Sequence, residues 1–230
     1  MDYSEVVEQF SEKLDKLTYT DEKKSMKVGD TVTIDWDSIV PDPPKNTSET
    51  TRKELEYLTE LTAKRTPAEE RFVKLVDKEA LDLFRPIAKK FDLEIPSELI
   101  KRVYGDFLWP ITYNLKFKFN RPRPEQVASF YDLKIDVIRT TTHQTPAYPS
   151  GHTVYGLTIA HIMSDMYPLH RDEFFRQGRS VGLARCLQGV HYPSDNEASA
   201  LIVKAVWENI KNNVVTSDLV VSDKERKDNV

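Results

Sequence analysis

Apolar residues recur at three- and four-residue steps along most of the chain, and one stretch departs from that period. Val7, Phe10, Leu14 and Leu17 predict an amphipathic first helix with a narrow apolar stripe, suited to packing on the body or on a second copy of the chain. Between Lys27 and Val40, Val32, Ile34 and Trp36 alternate with Thr31, Thr33 and Asp35, the period of a half-buried extended segment. Pro41-Asp42-Pro43-Pro44 stops it, and with no second strand in reach it reads as an arm rather than part of a sheet. From about residue 48 the period is helical. Leu55, Leu58 and Leu61 mark one helix. Thr66-Pro67-Ala68-Glu69 opens the next with a capping residue, a proline and an acid in the first turn. That helix carries Phe72, Val76, Ala80, Leu83, Phe84 and Ile87, and Pro86 is expected to kink or end it. Another opens near Pro96, turns Ile100, Val103, Phe107 and Ile111 to the core, bends at Pro110 and runs toward Lys116.

Arg121-Pro122-Arg123-Pro124 interrupts the helices, because a residue before proline is pushed to an extended conformation. Helix returns after Tyr148-Pro149-Ser150-Gly151-His152-Thr153, with Val154, Leu157, Ile162 and Met166 on one side. A further helix from about Asp172 to Gln188 places Gly178, Gly182 and Cys186 at four-residue steps, a smooth face for close approach of a neighbour. Five of the seven glycines lie between 151 and 189, so the tightest backbone packing is expected around these two helices. Gly189-Val190-His191-Tyr192-Pro193 reads as a turn, after which Ser194 or Asp195 is expected to cap a last helix through Ala198, Ile202, Ala205 and Ile210. The chain is therefore expected to be all-α: an N-terminal helix and extended arm over residues 1–47, a helix bundle over 48–216, and a frayed, mixed-charge tail over 217–230.

Composition narrows the picture. A formal net charge of −4 gives no overall reason to expect nucleic acid or an anionic membrane as partner, so any anion site must be local. No stretch of about 18 apolar residues is present, which argues against a membrane span. The start has no basic segment followed by an apolar run, so no secretory signal is expected and a cytoplasmic location is. Cys186, the single cysteine, cannot form an internal disulfide, and Tyr192 stands where a cysteine phosphatase would need its arginine.

The candidate chemistry is local and basic. Lys116, Lys118, Arg121 and Arg123 fall within eight residues of an otherwise acidic chain. Alone, such a run reads as a solvated face, or, with Phe117 and Phe119 interleaved, as a nucleic-acid-binding module. Pro149-Ser150-Gly151-His152 starts a helix whose first amides and dipole suit a phosphate oxygen. Arg185 precedes His191 by six residues and Asp195 follows it by four, a step that lets the carboxylate hold one ring nitrogen while the other faces a cleft. His161 and Asp165 repeat that step, but as an ordinary pair on a helix face. His152, His191 and Asp195 could ligate a metal by residue type, but neighbouring cations would repel it.

Taken jointly, the lysine followed after six residues by Arg-Pro (Lys116 to Pro124), the Pro-Ser-Gly-His run, and Arg185 with His191 and Asp195 resemble the three-part signature of the type 2 phosphatidic acid phosphatase and vanadium haloperoxidase superfamily. The look of residues 121–124 and 189–195 is nearest to the soluble class A acid phosphatases. The resemblance implies a helix bundle in which Lys116, Arg123 and Arg185 bind phosphate oxygens with Ser150 and the Gly151 amide. It makes His191 the nucleophile, Asp195 its orienting partner and His152 the acid and later base. It implies a metal-independent phosphatase of monoesters, and also of anhydrides or lipid phosphates, working through a phosphohistidine, with no cofactor and a small phosphorylated substrate as partner. The alternatives are a vanadate-dependent haloperoxidase, since vanadate would occupy the same cradle, and a non-catalytic module that only binds phosphate or nucleic acid. Ala184 stands where the third motif usually has serine.

Overall fold

The computed structural model of the protein describes residues 12–16 and 35–212. Every regular element among the described residues is helical. The frayed tail, the arm before Asp35 and most of the first helix lie outside them. What is described of that helix is one turn, and it packs on the body: Leu14 is buried with Leu55 and Leu58, its carbonyl accepts from Asn46 Nδ2 at 2.9 Å, and Asp15 accepts from the amide and hydroxyl of Thr47.

The bundle begins with α1 (Glu49–Ala63), where Ser48 accepts the Thr51 amide, and α2 (Pro67–Glu79), where Thr66 and Glu69 form the expected reciprocal cap. After a 3-10 turn at Ala80–Leu83 come α3 (Arg85–Phe91) and α4 (Ser97–Arg102). A π-helical turn over Val103–Leu108 leads into α5 (Trp109–Phe119), followed by the short α6 (Pro124–Ala128). An irregular stretch then runs to Ser150 and ends in a cis Tyr148-Pro149 peptide. The last three helices are α7 (Gly151–Met166), α8 (Arg171–Leu187) and α9 (Pro193–Ile210).

Three local expectations are corrected. The extended pattern expected up to Val40 gives way to a 3-10 turn at Trp36–Ser38, fastened by the Ile39 and Val40 amides to the Trp36 carbonyl. Pro86 does not end α2; the chain has already tightened at Ala80–Leu83, and Pro86 sits in the first turn of α3, where its missing N–H has no intrahelical partner to lose. Neither Ser194 nor Asp195 is the capping position of α9: that is Tyr192, whose amide is taken by Asp195 Oδ2 at 3.0 Å from inside the first turn. The bend expected at Pro110 is met by the wider turn before it, since Pro110 has no N–H to return to Asp106.

The bundle is organised around α7, which is buried on nearly all sides, in keeping with its largely apolar sequence. Val154, Ile159, Ile162 and Met163 pack with Phe84, Ile100, Leu108, Phe174, Ile202 and Val203 in the main core. Against α8 the backbones nearly touch: a Cβ on Gly156 would lie 2.6 Å from Val181 Cγ2, and one on Gly178 would lie 2.9 Å from the Gly156 carbonyl oxygen. That close seam fixes the N-terminus of α7 relative to the C-terminus of α8, the two ends that carry the candidate chemistry. Ala184, in place of the usual serine, is fully buried in a hydrophobic cluster with Val76, Ala80 and Val181.

Candidate active site

His191 owes its place to the end of α8. Gly189 adopts φ +82, the Gly189 amide bonds to the Cys186 carbonyl and the Val190 amide to the Arg185 carbonyl, so the helix closes in a Schellman motif. A side chain at Gly189 would be strained by that φ and would meet Ile135 at 2.7 Å. Two residues on, the His191 ring sits with Nδ1 2.9 Å from Asp195 Oδ2 and Nε2 2.9 Å from Arg123 NH1. An ionised carboxylate can only accept, so Nδ1 carries the proton, and Nε2 accepts from the guanidinium with its lone pair. Burial first, then Arg123 and Lys116, holds this imidazole well below its ordinary pKa, so it is neutral.

Asp195 is itself braced. Its Oδ1 accepts from Arg121 NH1 at 2.7 Å, and Arg121 reaches Glu54 Oε2 at 3.1 Å, while Glu54 also takes the Ser194 amide and hydroxyl. The Arg121 guanidinium lies 3.7 Å from the Tyr192 ring centre. Glu54, Arg121, Asp195 and His191 thus form one buried line of charge and hydrogen bonds running from α1 to the cavity.

Of the basic run, Lys116 and Arg123 turn into the cavity, Arg121 turns inward to Asp195, and Lys118 pairs with Asp37 at the surface. The run therefore does not present a single solvated basic face. Lys116 Nζ donates to the Pro146 carbonyl at 2.7 Å, Arg123 Nε to the Thr145 carbonyl at 2.8 Å, and Arg185 NH2 to Thr142 Oγ1 at 3.1 Å. Burial, with Arg123 beside it, lowers the Lys116 pKa well below that of a free lysine.

His152 opens α7 from the other side of the cavity. Burial and then Arg185 push its pKa down to about 3, against the pull of Asp77, so it too is neutral when nothing is bound. Ser150 is the capping residue: its hydroxyl accepts from the Thr153 amide and lies 2.9 Å from the Thr153 hydroxyl oxygen, and its own amide and carbonyl are tied to the Ser199 hydroxyl. It is fully buried, and the next residue, Gly151, lines the cavity.

A cavity of about 390 Å³ is lined by Lys116, Arg123, Gly151, His152 and His191, with Tyr104, Trp109, Thr141, Thr142, Gln144 and Thr145 completing its walls. Asp195 and Arg185 stand directly behind it, joined to His191 and Thr142. The residues expected from the three motifs thus converge at one end of α7, with Ser150 and Asp195 in supporting positions. Among the described residues no three His, Cys, Asp or Glu side chains gather as a metal-binding set. Cys186 accepts from Asn196 Nδ2, and burial pushes its thiol up to about 12, an unreactive setting.

Sequence reasoning missed Glu54, Asp77 and Asn196. Asn196 joins three helices, accepting from Thr153 Oγ1 at 2.7 Å and donating to the Gly182 carbonyl at 3.1 Å. Asp77 Oδ1 accepts from Arg185 NH1 at 2.5 Å and from the Thr142 and Thr140 hydroxyls. Each stands among other polar residues of its helix, and nothing in its spacing sets it apart from a solvated one.

Comparison with known proteins agrees with this geometry. The family model described as PAP2 superfamily matches residues 106–208. The chain is 30% identical over 130 residues to the non-specific acid phosphatase of Providencia stuartii, covering 56% of this chain and 51% of that protein. It is 36% identical over 62 residues to the non-specific acid phosphatase of Salmonella typhimurium (27% of this chain, 25% of the relative) and 34% identical over 87 residues to the acid phosphatase of Zymomonas mobilis (38% and 33%). The matched regions span about half the length of the first of these relatives and less of the others. No described helix is long and apolar enough to cross a membrane.

Proposed function

We propose, from the match of residues 106–208 to the family model described as PAP2 superfamily, that the protein is a metal-independent phosphatase that hydrolyses small phosphate monoesters through a phosphohistidine at His191. The observation that carries this reading is the His191 ring, whose Nδ1 is held by a braced carboxylate while Nε2 faces a cavity containing Lys116 and Arg123. The acid phosphatase relatives support the same reaction class.

In the proposed first step the Nε2 lone pair attacks phosphorus, the bond from phosphorus to the ester oxygen breaks, and that oxygen takes a proton from His152. Charge on the three equatorial oxygens is met by Lys116, Arg123 and Arg185 and by the first amides of α7. In the second step water attacks the phosphohistidine, gives a proton to His152 and returns the lone pair to Nε2.

His152 is neutral in the empty site, so the proton it donates has to arrive with the substrate or from solvent once an anion is bound. A phosphate dianion offsets the cations that depress His152 and favours its charged form. An arriving monoanion can hand over its own proton. Both routes favour turnover on the acid side of neutrality.

The test is to quench the enzyme without acid during turnover of p-nitrophenyl phosphate with EDTA present, and to locate phosphate by mass spectrometry. Label on His191 is the expected result. Label elsewhere, or phosphate release that needs a divalent ion, overturns the proposal. A screen over monoesters, anhydrides and lipid phosphates then defines the substrate.

A further inference from the structure

Asp77 lies on α2, outside the segment matched by the family and outside all three sequence motifs. Its Oδ1 nonetheless accepts from Arg185 NH1 at 2.5 Å and from the Thr142 hydroxyl, while Arg185 NH2 donates to that same hydroxyl at 3.1 Å. Asp77, Thr142 and Arg185 therefore close a ring. Thr142 is a wall of the cavity and Arg185 stands behind it, so the ring joins a carboxylate on one helix to a cation on another through the cavity wall. Thr140, which also donates to Asp77, accepts from Gln188 Nε2 at 3.2 Å and anchors the base of the same loop.

Asp195 and Asp77 serve different sides of the site. Asp195 is engaged by Arg121 and the His191 ring, so its charge serves the nucleophile's side. His152 is faced by Arg185, Asp77 and Lys116, with His191 across the cavity. Asp77 is thus the negative charge available to the acid's side. Although burial opposes its ionisation, its bonds from Thr142 and Arg185 hold it below the usual carboxylate range, so it remains charged wherever the enzyme would work.

We propose that Asp77 is a positioning residue of this site, which through its ring with Thr142 and Arg185 holds the third cation in place and lets His152 carry the proton it delivers to the leaving oxygen. The inference rests on the phosphatase reading. A substrate with a poor leaving group depends on that proton, and one with an acidic leaving group hardly does.

The experiment compares wild type, Asp77→Asn, Asp77→Glu and Thr142→Val on glycerol phosphate and p-nitrophenyl phosphate, and follows the His152 ring by NMR titration with orthovanadate bound. For Asp77→Asn, kcat on glycerol phosphate should fall by about 10²-fold, the size of a general-acid contribution, and at least about tenfold more than on p-nitrophenyl phosphate. The alkaline limb of the glycerol phosphate profile should move to lower pH, because removing a negative charge weakens the hold of His152 on its proton. The His152 titration should move the same way, and Asp77→Glu should restore part of both. Equal losses on the two substrates with an unmoved titration would show that Asp77 is only scaffold, and an unchanged enzyme would show that it is dispensable. If wild type releases no phosphate from any ester, the phosphatase reading fails, while the His152 titration in Asp77→Asn still decides the role of Asp77. Should Asp77→Asn not fold, Asp77→Glu and Thr142→Val carry the same comparison.

Discussion

The two histidines face one cavity from differently made walls. His191 is set by the closed end of α8, by Asp195 in the first turn of α9, and by Arg121 and Glu54 behind that acid, a line running from helix to helix. On the side of His152 the wall is the irregular stretch 140–147, which carries Thr142 and Thr145 and is tied down by Lys116, Arg123, Arg185 and Asp77. A nucleophile must meet phosphorus in line, and small misplacement is costly. A proton donor serves leaving groups of different shape, and a wall of loop suits that tolerance.

The sharpest way to break the comparison is to remove His191. His191→Ala should lower turnover by on the order of 10⁴-fold or more with every substrate and abolish the covalent label, since it removes the proposed nucleophile. Next come the cations: Lys116→Ala and Arg123→Ala should each cost about 10²- to 10³-fold in kcat/KM, the scale of a lost donor to developing charge. His152→Ala should divide by leaving group, keeping much of the phosphorylation of His191 by p-nitrophenyl phosphate and little by an alkyl phosphate, with the phosphoenzyme accumulating because water is no longer activated. Arg121→Met leaves Glu54 and Asp195 facing each other without their shared cation and should cost about 3–5 kcal/mol in denaturant unfolding, an effect on stability first and on rate through His191. Lys118→Ala, which removes a surface partner of Asp37 and a cation over the Phe119 ring, should leave activity within about twofold of wild type.

A pH measurement sharpens the contrast further. Burial depresses the folded pKa of His191, lowers His152 to about 3 and His161 to about 4. The unfolded chain therefore binds more protons as pH falls below about 6.5, and stability present above that value is lost on the way down, by up to about 1.4 kcal/mol per pH unit for each ring. Bound orthovanadate should flatten the slope, because His152 can then hold its proton in the folded state. Calorimetry from pH 7 to pH 4.5 with and without vanadate checks this, and an identical slope in both would separate His152 from the anion.

Much of this was legible in the chain. Helical period and capping chemistry located the main helices, and three short motifs named Lys116, Arg123, His152 and His191 in the cavity lining and Arg185 and Asp195 behind it. What remained hidden has a physical reason in each case. Trp36 continues an alternating pattern, but the pattern reports a half-buried face and is silent on the local turn that Ile39 and Val40 close. The resemblance implies a phosphate-binding Ser150, and the same hydroxyl also caps α7 by accepting the Thr153 amide, a second role that the motif does not spell out. Glu54 and Asp77 reach the site from α1 and α2, over sequence separations that no local period encodes.

The stretch 140–147 gives binding at this site the character of an exchange. An incoming phosphate meets no bare cation: Lys116 is already held by the Pro146 carbonyl, Arg123 by the Thr145 carbonyl and Arg185 by Thr142 and Asp77. Each oxygen it presents competes with one of these, so its affinity is the difference between two sets of hydrogen bonds rather than the sum of one. The same exchange runs in reverse when the ester bond is gone. In the proposed reaction the loop offers the cations a return partner within hydrogen-bonding distance, so inorganic phosphate would leave a site whose charges are satisfied as it departs.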